Sequence, residues 1–244
     1  MKKNSLVLIA LMLVMAMVLA ACSKPVSIKI ATDATFAPFE YTNDAGDLVG
    51  FDIDLMNAIA EKAGFEFEWV NVPFDSVLAG LSECQYDAAI AAISISDERK
   101  QEMLFSAPYL DAGLVVVVNT ATTDIAGIED LIGKVVAAQL GTTGEMTAQD
   151  IEGVTYKPYD SYELAFLELA NKGVDAVIAD NPLAMGYIAA NPEKIKAVGD
   201  ILNNEQYGIA ICEKNSDLQT KIDTALNELI ESGFVAELAG TYIK

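Results

Sequence analysis

The stretch FDSVLAGLSECQYDAAIAA at residues 74–92 returns in outline as YDSYELAFLELANKGVDAVIAD at residues 159–180. Each copy opens aromatic-Asp-Ser, runs through a segment of helical spacing, and closes on Asp followed by small and β-branched apolar residues. A short apolar run bounded by turn signals is the signature of a buried strand. The strands that open the two halves also match, Lys29-Ile30-Ala31-Thr32-Asp33 against Lys134-Val135-Val136-Ala137-Ala138-Gln139. Strands alternating with helices predict a parallel α/β sheet, because parallel neighbours need a crossover between them. The repeat predicts two such sheets. Open parallel sheets bind ligands beyond the carboxyl ends of their strands. Asp33, Ala92, Gln139 and Asp180 fall at those ends, so two facing lobes gather them around one cleft.

Working outward, strands are expected at 26–32, 66–71, 88–92, 114–119, 134–138, 154–157 and 175–179. Short helices are expected at 75–81 and 161–172. Asp52 reads as the cap of a helix with Ile53, Met56, Ile59, Ala60 and Ala63 on its apolar face and Gly64 as its stop. Near the end, Ser216 with Gln219 has the spacing of a capping box. That helix should bury Leu218, Ile222, Ala225, Leu226 and Leu229, with Gly233 ending it.

The first residues do not belong to this pattern. Met1-Lys2-Lys3, an apolar run from Leu6 to Ala21 and the ending Leu19-Ala20-Ala21-Cys22 describe a secretory signal. The ending resembles a bacterial lipobox, which implies cleavage before Cys22 and lipidation of that residue. The expected organisation is a signal peptide at 1–21, a tether at 22–25, lobe 1 at 26–110 and 206–244, and lobe 2 at 111–205. Such a chain sits outside the cytoplasm, held on the cell membrane by its lipid.

The chain has 244 residues and a formal charge of −21, which argues against nucleic acid because phosphate binding needs clustered Lys and Arg. It contains no His, which removes Ser–His and Cys–His dyads and His-based zinc sites together. Cys84 and Cys212 have no metal-site spacing and either pair or stay free. No cofactor and no metal are expected.

One segment breaks its own local rules. In AAISISDERKQ, residues 91–101, Ser96 suits a helix N-cap, and Asp97 and Glu98 suit the positive end of the dipole. Arg99 has the wrong sign for that turn. It is either a solvated charge or one held for an anion, and a guanidinium binds a carboxylate through paired hydrogen bonds. Asp180, before Asn181-Pro182, is either an N-cap or, if Asn181 caps, an acid free to meet an ammonium group. Gly141-Thr142-Thr143-Gly144 opens a helix after a strand, where backbone N–H groups take anions, although the glycine spacing of a nucleotide loop is missing. Asp33, Phe36 and Phe39 share the loop DATFAPFEY, and Phe74 lies in the loop after the second strand. An aromatic beside an acid can wall a pocket, or simply be core.

Together, ATDATFAPFEY, GDLVGFDIDLMNAIAEKAG, YDAAIAAISISDERKQEMLFSAPY, GKVVAAQLGTTGE, VDAVIADNP and QYGIAICEKNSDL resemble the polar amino-acid-binding proteins of ABC importers, family 3 of the bacterial extracellular solute-binding proteins. The resemblance runs across nearly the whole chain after Cys22. It implies two α/β lobes of the type II periplasmic-binding-protein fold joined by two crossover strands, near 108–119 and 204–208, which close on ligand. It implies that Arg99 grips the ligand's α-carboxylate with the backbone N–H groups of Ser94 and Thr143. Asp180, the Ala92 carbonyl and the Ser94 hydroxyl would hold the α-ammonium, while Asp33, Phe36, Phe74 and Gln139 line the side-chain pocket. Thr142 belongs to the same turn and is counted among the ligand-binding residues, although the turn by itself also reads as a tight strand–helix connection. Some glutamine-binding members have Lys where Gln139 stands and His where Ala179 stands, so a neutral Gln139 beside Asp33 favours a basic side chain and still permits glutamine. The expected partners are a polar amino acid and a permease with its ATPase, and a monomer is expected. The alternatives are a dehydratase-like enzyme on this fold, for which Asp33 and Glu40 are the available acids, and a sensory receptor. Glu40 otherwise reads as surface charge.

Overall fold

The computed structural model describes residues 27–243. The signal and lipobox features and Cys22 lie outside them. Lobe 1 begins with β1 (Ile28–Thr32), a small hairpin of β2 (Thr35–Phe36), β3 (Glu40–Thr42) and β4 (Leu48–Val49), then α1 (Phe51–Ala63), β5 (Phe67–Asn71), α2 (Phe74–Ser82) and β6 (Ala88–Ala89). It continues with β7 (Met103–Phe105) and leaves through β8 (Leu110–Ala112). Lobe 2 holds β9 (Leu114–Asn119), β10 (Val135–Gln139), α3 (Thr143–Asp150), β11 (Thr155–Tyr159), α4 (Tyr162–Ala170), β12 (Ala176–Asp180), α5 (Asn181–Ala190) and β13 (Ile195–Val198). The chain returns through β14 (Glu205–Tyr207) to β15 (Ala210–Cys212), α6 (Ser216–Glu231) and α7 (Phe234–Tyr242).

The two five-stranded sheets have equivalent orders, β5-β1-β6-β15-β7 and β11-β10-β12-β9-β13. In each, the first three strands are parallel, the fourth (β15 or β9) runs antiparallel to both its neighbours, and the fifth returns to the direction of the first three. The repeat read from the sequence is this parallel core. β8 and β14 pair antiparallel, Glu205 opposite Ala112 and Tyr207 opposite Leu110, and form the two-stranded crossing between lobes.

Strand β9 explains why lobe 2 is buried on both faces. Val115 and Val117 pack with Tyr162, Phe166 and Leu183 on one side, while Leu114, Val116 and Val118 pack with Val136, Ala148 and Ile178 on the other. All six β9 residues are buried, and each Val or Leu removed from water contributes about 1.5–3 kcal/mol. Lobe 1 repeats the arrangement, with α1 and α6 on one face and α2 on the other.

Several local expectations are corrected. Gly50, not Asp52, is the N-cap of α1, and Asp52 is fully buried in its first turn. A side chain at Gly50, whose φ is 135°, would collide with the Phe39 carbonyl. The Ser216–Gln219 capping box does not form: Asn215 is the N-cap of α6, and the Gln219 amide donates to the Phe105 carbonyl at 2.7 Å. The 88–92 strand stops at Ala89. The helix expected after Ser96 is one 3-10 turn, Arg99–Gln101, although Ser96 Oγ does accept the Arg99 N–H at 3.2 Å. Glu40 has no exposed surface, so it is not a surface charge. Cys84 and Cys212 form a disulfide. It joins the two chain segments that build lobe 1, across a separation of 128 residues that contains all of lobe 2.

Candidate ligand-binding site

The carboxyl ends of the two parallel cores face each other across the crossing strands. Phe36, Phe74, Ala92, Ser94, Arg99, Thr142, Thr143 and Asp180 line one enclosed space between them. Every one of these was singled out from the sequence. The remaining free volume is about 10 Å³, close to what one water needs. Hydrogen bonds cross from lobe to lobe on either side of it, Arg99 to the Gly141 carbonyl and Gln139 to Asp33, so the lobes are drawn together here.

Arg99 is buried with 5% exposure, and its solvated alternative is excluded. One terminal nitrogen donates to the Ser94 carbonyl at 2.7 Å and the other to the Gly141 carbonyl of lobe 2 at 2.9 Å. Nε is buried without a partner, and the guanidinium lies 5.7 Å from the centre of the Phe74 ring. Burial draws its pKa down and the charges of Asp180 and Glu205 oppose the shift, so it stays cationic. Arg99 is in no ion pair among the described residues, where such pairs, for example Lys62–Glu228 at 2.8 Å, are at least partly exposed.

Asp180 sits at the N-cap position of α5, yet its side chain does not cap the helix. Its Oδ1 accepts from the Tyr207 hydroxyl at 2.9 Å. Burial, then the charge of Glu205, pushes its pKa up to about 7, against the help of Tyr207 and Arg99. An ammonium group would supply the missing counter-charge.

The backbone around this pair is shaped for it. Ala92 adopts a left-handed φ of 47°, a conformation that costs a non-glycine residue about 1–3 kcal/mol. Its N–H donates to Asp52 Oδ2 at 2.7 Å, and the same oxygen accepts from the Tyr109 hydroxyl at 2.9 Å. Burial and the Asp52 charge hold the neighbouring Glu40 carboxyl well above its usual range, while burial raises Asp52 to about 6. Both Glu40 oxygens and Asp52 Oδ1 are buried without a hydrogen-bond partner, which disfavours the charged forms. At the other wall, Thr142 Oγ1 caps α3 through the Glu145 N–H at 3.2 Å, and the Gly141 N–H is taken by Glu145 at 2.6 Å. The Thr143 N–H is one of the first-turn donors that a helix leaves open. A side chain on Gly144 would meet the Tyr162 hydroxyl at 2.5 Å and the Ile178 carbonyl at 2.7 Å, so glycine lets this turn approach β12.

Asp33 and Gln139, expected in the side-chain pocket, do not line this space and bond each other instead. Asp33 Oδ2 accepts from Gln139 Nε2 at 2.8 Å, bridging β1 of one lobe to β10 of the other. Gln139 Oε1 is buried and has no donor. Phe36 packs edge-on against Tyr162 of lobe 2 at 5.8 Å. Three residues at the site escaped the sequence reading: Asp52, Tyr207 and Glu205. Tyr207 and Glu205 stand immediately before or within QYGIAICEKNSDL, but nothing local marks them as facing a cleft. A larger groove of about 660 Å³ opens on the outside near Pro38, Tyr41 and Tyr187. Glu163 is its one charged lining residue, and it contains none of the charges described above.

Residues 28–244 match the family model of bacterial extracellular solute-binding proteins, family 3. The chain belongs to that family. This solute-binding protein is 32% identical over 210 residues to the arginine-binding periplasmic protein of Mannheimia haemolytica, covering 84% of this chain and 86% of the relative. It superposes on the arginine-, lysine-, histidine-binding protein ArtJ of Geobacillus stearothermophilus with a TM-score of 0.84 at 38% identity, over 88% of this chain and 94% of that one. An ancestral arginine-binding protein bound to arginine gives a TM-score of 0.84 at 39% identity, over 91% and 100%. An ancestral arginine-binding protein bound to glutamine gives a TM-score of 0.84 at 39% identity, over 90% and 99%. The solute-binding protein therefore shares the type II two-lobed fold of these neighbours. No helix among its described residues is long and apolar enough to cross a membrane.

Proposed function

We propose that the protein captures a basic L-amino acid, arginine foremost, and delivers it to an ABC permease. The carrying observation is the acceptor-rich side-chain end, where the Asp33 carboxylate stands beside a Gln139 oxygen that is buried without a donor. A guanidinium or ammonium supplies donors and charge to both. At the other end, Arg99, with an unused buried Nε, takes the α-carboxylate together with the Ser94 and Thr143 N–H groups. Asp180, the Ala92 carbonyl and the Ser94 hydroxyl take the α-ammonium. In the structure Gln139 bonds Asp33 and Arg99 bonds the Gly141 carbonyl. Opening breaks Arg99–Gly141 and Asp33–Gln139, and the ligand replaces those bonds with its own. Closure follows because the ligand touches both lobes only when they meet. Glutamine is the second reading, since Gln139 can both give and accept a hydrogen bond and thus pair with another amide.

The lobes are taken as 26–110 with 206–244, and 111–205, with β8 and β14 as the hinge. Cys22 is taken as the lipid anchor, and a monomer suffices because one chain supplies the whole site. The dehydratase-like alternative loses an acid, because Glu40 is buried against Asp52 rather than facing the cleft. A thermal-shift panel of the twenty amino acids tests the proposal, since a ligand of the folded state raises stability by mass action. Arginine and lysine should give the largest shifts, then glutamine; a flat panel removes the amino-acid reading.

A further inference from the structure

Glu205 is a hinge residue that the ligand-binding reading leaves without a role. It stands at the first position of β14. Its Oε2 accepts hydrogen bonds from two hydroxyls, Ser94 Oγ of lobe 1 and Thr143 Oγ1 of lobe 2, the latter at 2.9 Å. Its Oε1 accepts from Asn203 Nδ2 at 2.7 Å, and Asn203 Oδ1 accepts the Leu114 N–H at 2.9 Å, where β9 begins. The carboxylate is therefore fixed on the hinge side and holds one residue of each lobe on the cleft side.

A hydroxyl has one proton to give and two lone pairs to receive. Ser94 and Thr143 both give theirs to Glu205, so toward the enclosed space that they line each hydroxyl offers acceptors alone. With Asp180 on the facing wall, this surface suits a group that donates from all its hydrogens. We propose that Glu205 is a positioning residue that couples lobe closure to recognition of the ligand's ammonium group. It fixes the polarity of both hydroxyls, and it spans the lobes through them. One oxygen can hold both hydroxyls only while Ser94 and Thr143 are close, so parting the lobes breaks at least one charge-assisted hydrogen bond. The ammonium half of this inference rests on the amino-acid reading above; the span across the lobes does not.

Two measurements test it. Calorimetry compares L-arginine with its deaminated analogue, 5-guanidinopentanoate, in wild type and Glu205→Gln, which keeps the size and loses the charge. Affinity for L-arginine should fall about tenfold or more, the value of one charge-assisted hydrogen bond, and fall further than affinity for the analogue. Equal losses for both molecules overturn the ammonium role. Small-angle scattering of the ligand-free protein should give a larger radius of gyration for Glu205→Gln than for wild type. Thr143→Val, which removes one hydroxyl and leaves Glu205 intact, should expand it in the same direction, and it serves if the first variant does not fold. Unchanged radii overturn the span. A wild type that binds neither molecule removes the amino-acid reading and the ammonium half with it, and the scattering comparison still decides the span.

Discussion

β1 of lobe 1 and β10 of lobe 2 hold the same place in sheets of the same order, yet one leads into Asp33 and the other ends in Gln139. β6 and β12 are likewise equivalent, with Ala92 and its strained backbone just beyond the first and the acid Asp180 ending the second. The duplicated framework thus presents complementary rather than identical groups: the buried Arg99 and the aromatics Phe36 and Phe74 come from lobe 1, the buried Asp180 from lobe 2. Lobe 1 is also assembled from two chain segments joined by a disulfide, while lobe 2 is one continuous stretch. The lesson is that a shared strand order sets where groups converge, and the residues at the strand ends set what they hold.

The largest expected effect tests the lobe 1 grip. Arg99→Ala should cost about 2–5 kcal/mol of binding to L-arginine by calorimetry, as for a buried charge left unpaired. A near-normal affinity would reduce Arg99 to a structural residue. Removing the covalent join, through Cys84→Ser with Cys212→Ser, should lower stability by about 2–5 kcal/mol in denaturant melts, because the bond closes a long loop. Ligand affinity of the folded fraction should hardly move, and a matching loss of affinity would show that the disulfide shapes the site.

Asp180→Asn tests the lobe 2 acid, with an expected loss of about 1.5–3 kcal/mol, the range for hydrogen bonds to charged groups. It also carries a pH signature. With its pKa raised to about 7, Asp180 binds a proton in the empty folded protein that the unfolded chain releases near pH 4. Asp52, raised to about 6, and Glu40, raised further, act in the same direction. The folded state then holds more protons than the unfolded one, so stability of the ligand-free protein contributed by these groups falls as pH rises from about 4 toward 7. Binding an ammonium needs the ionised acid, so affinity should rise over the upper part of that window and level off above about pH 7. Asp180→Asn should flatten the affinity profile; an unchanged profile assigns the proton elsewhere. The smallest effect concerns selectivity: Asp33→Asn should weaken arginine relative to glutamine by about 1 kcal/mol or more in competition binding, the worth of one hydrogen bond.

Much of this was legible before any coordinates. Arg99 stood out because its charge opposes the local dipole, and a charge against its surroundings needs a partner from elsewhere. The strand ends were legible because apolar runs announce buried strands. Glu40 and Asp52 were misread, since burial is set by the packed fold: Asp52 meets Ala92 and Tyr109, which lie 40 or more residues away, and Glu40 is fully covered. Glu205 carried no local anomaly at all: an acid on a short strand looks like any exposed charge. The Ser216–Gln219 box failed because Phe105, more than a hundred residues distant, offered the Gln219 amide a carbonyl.

By itself, the sequence determined two α/β units, the positions at their strand ends and an Arg99 whose charge opposes its local helix start, because periodicity and local charge are written in neighbouring residues. Tertiary structure alone decided which ends face which, that Cys84 meets Cys212, that Gln139 bonds Asp33 and that Glu205 reaches both lobes. Those contacts join residues between 62 and 128 positions apart. Closing such loops depends on the whole chain packing at once, and no short window of sequence records it.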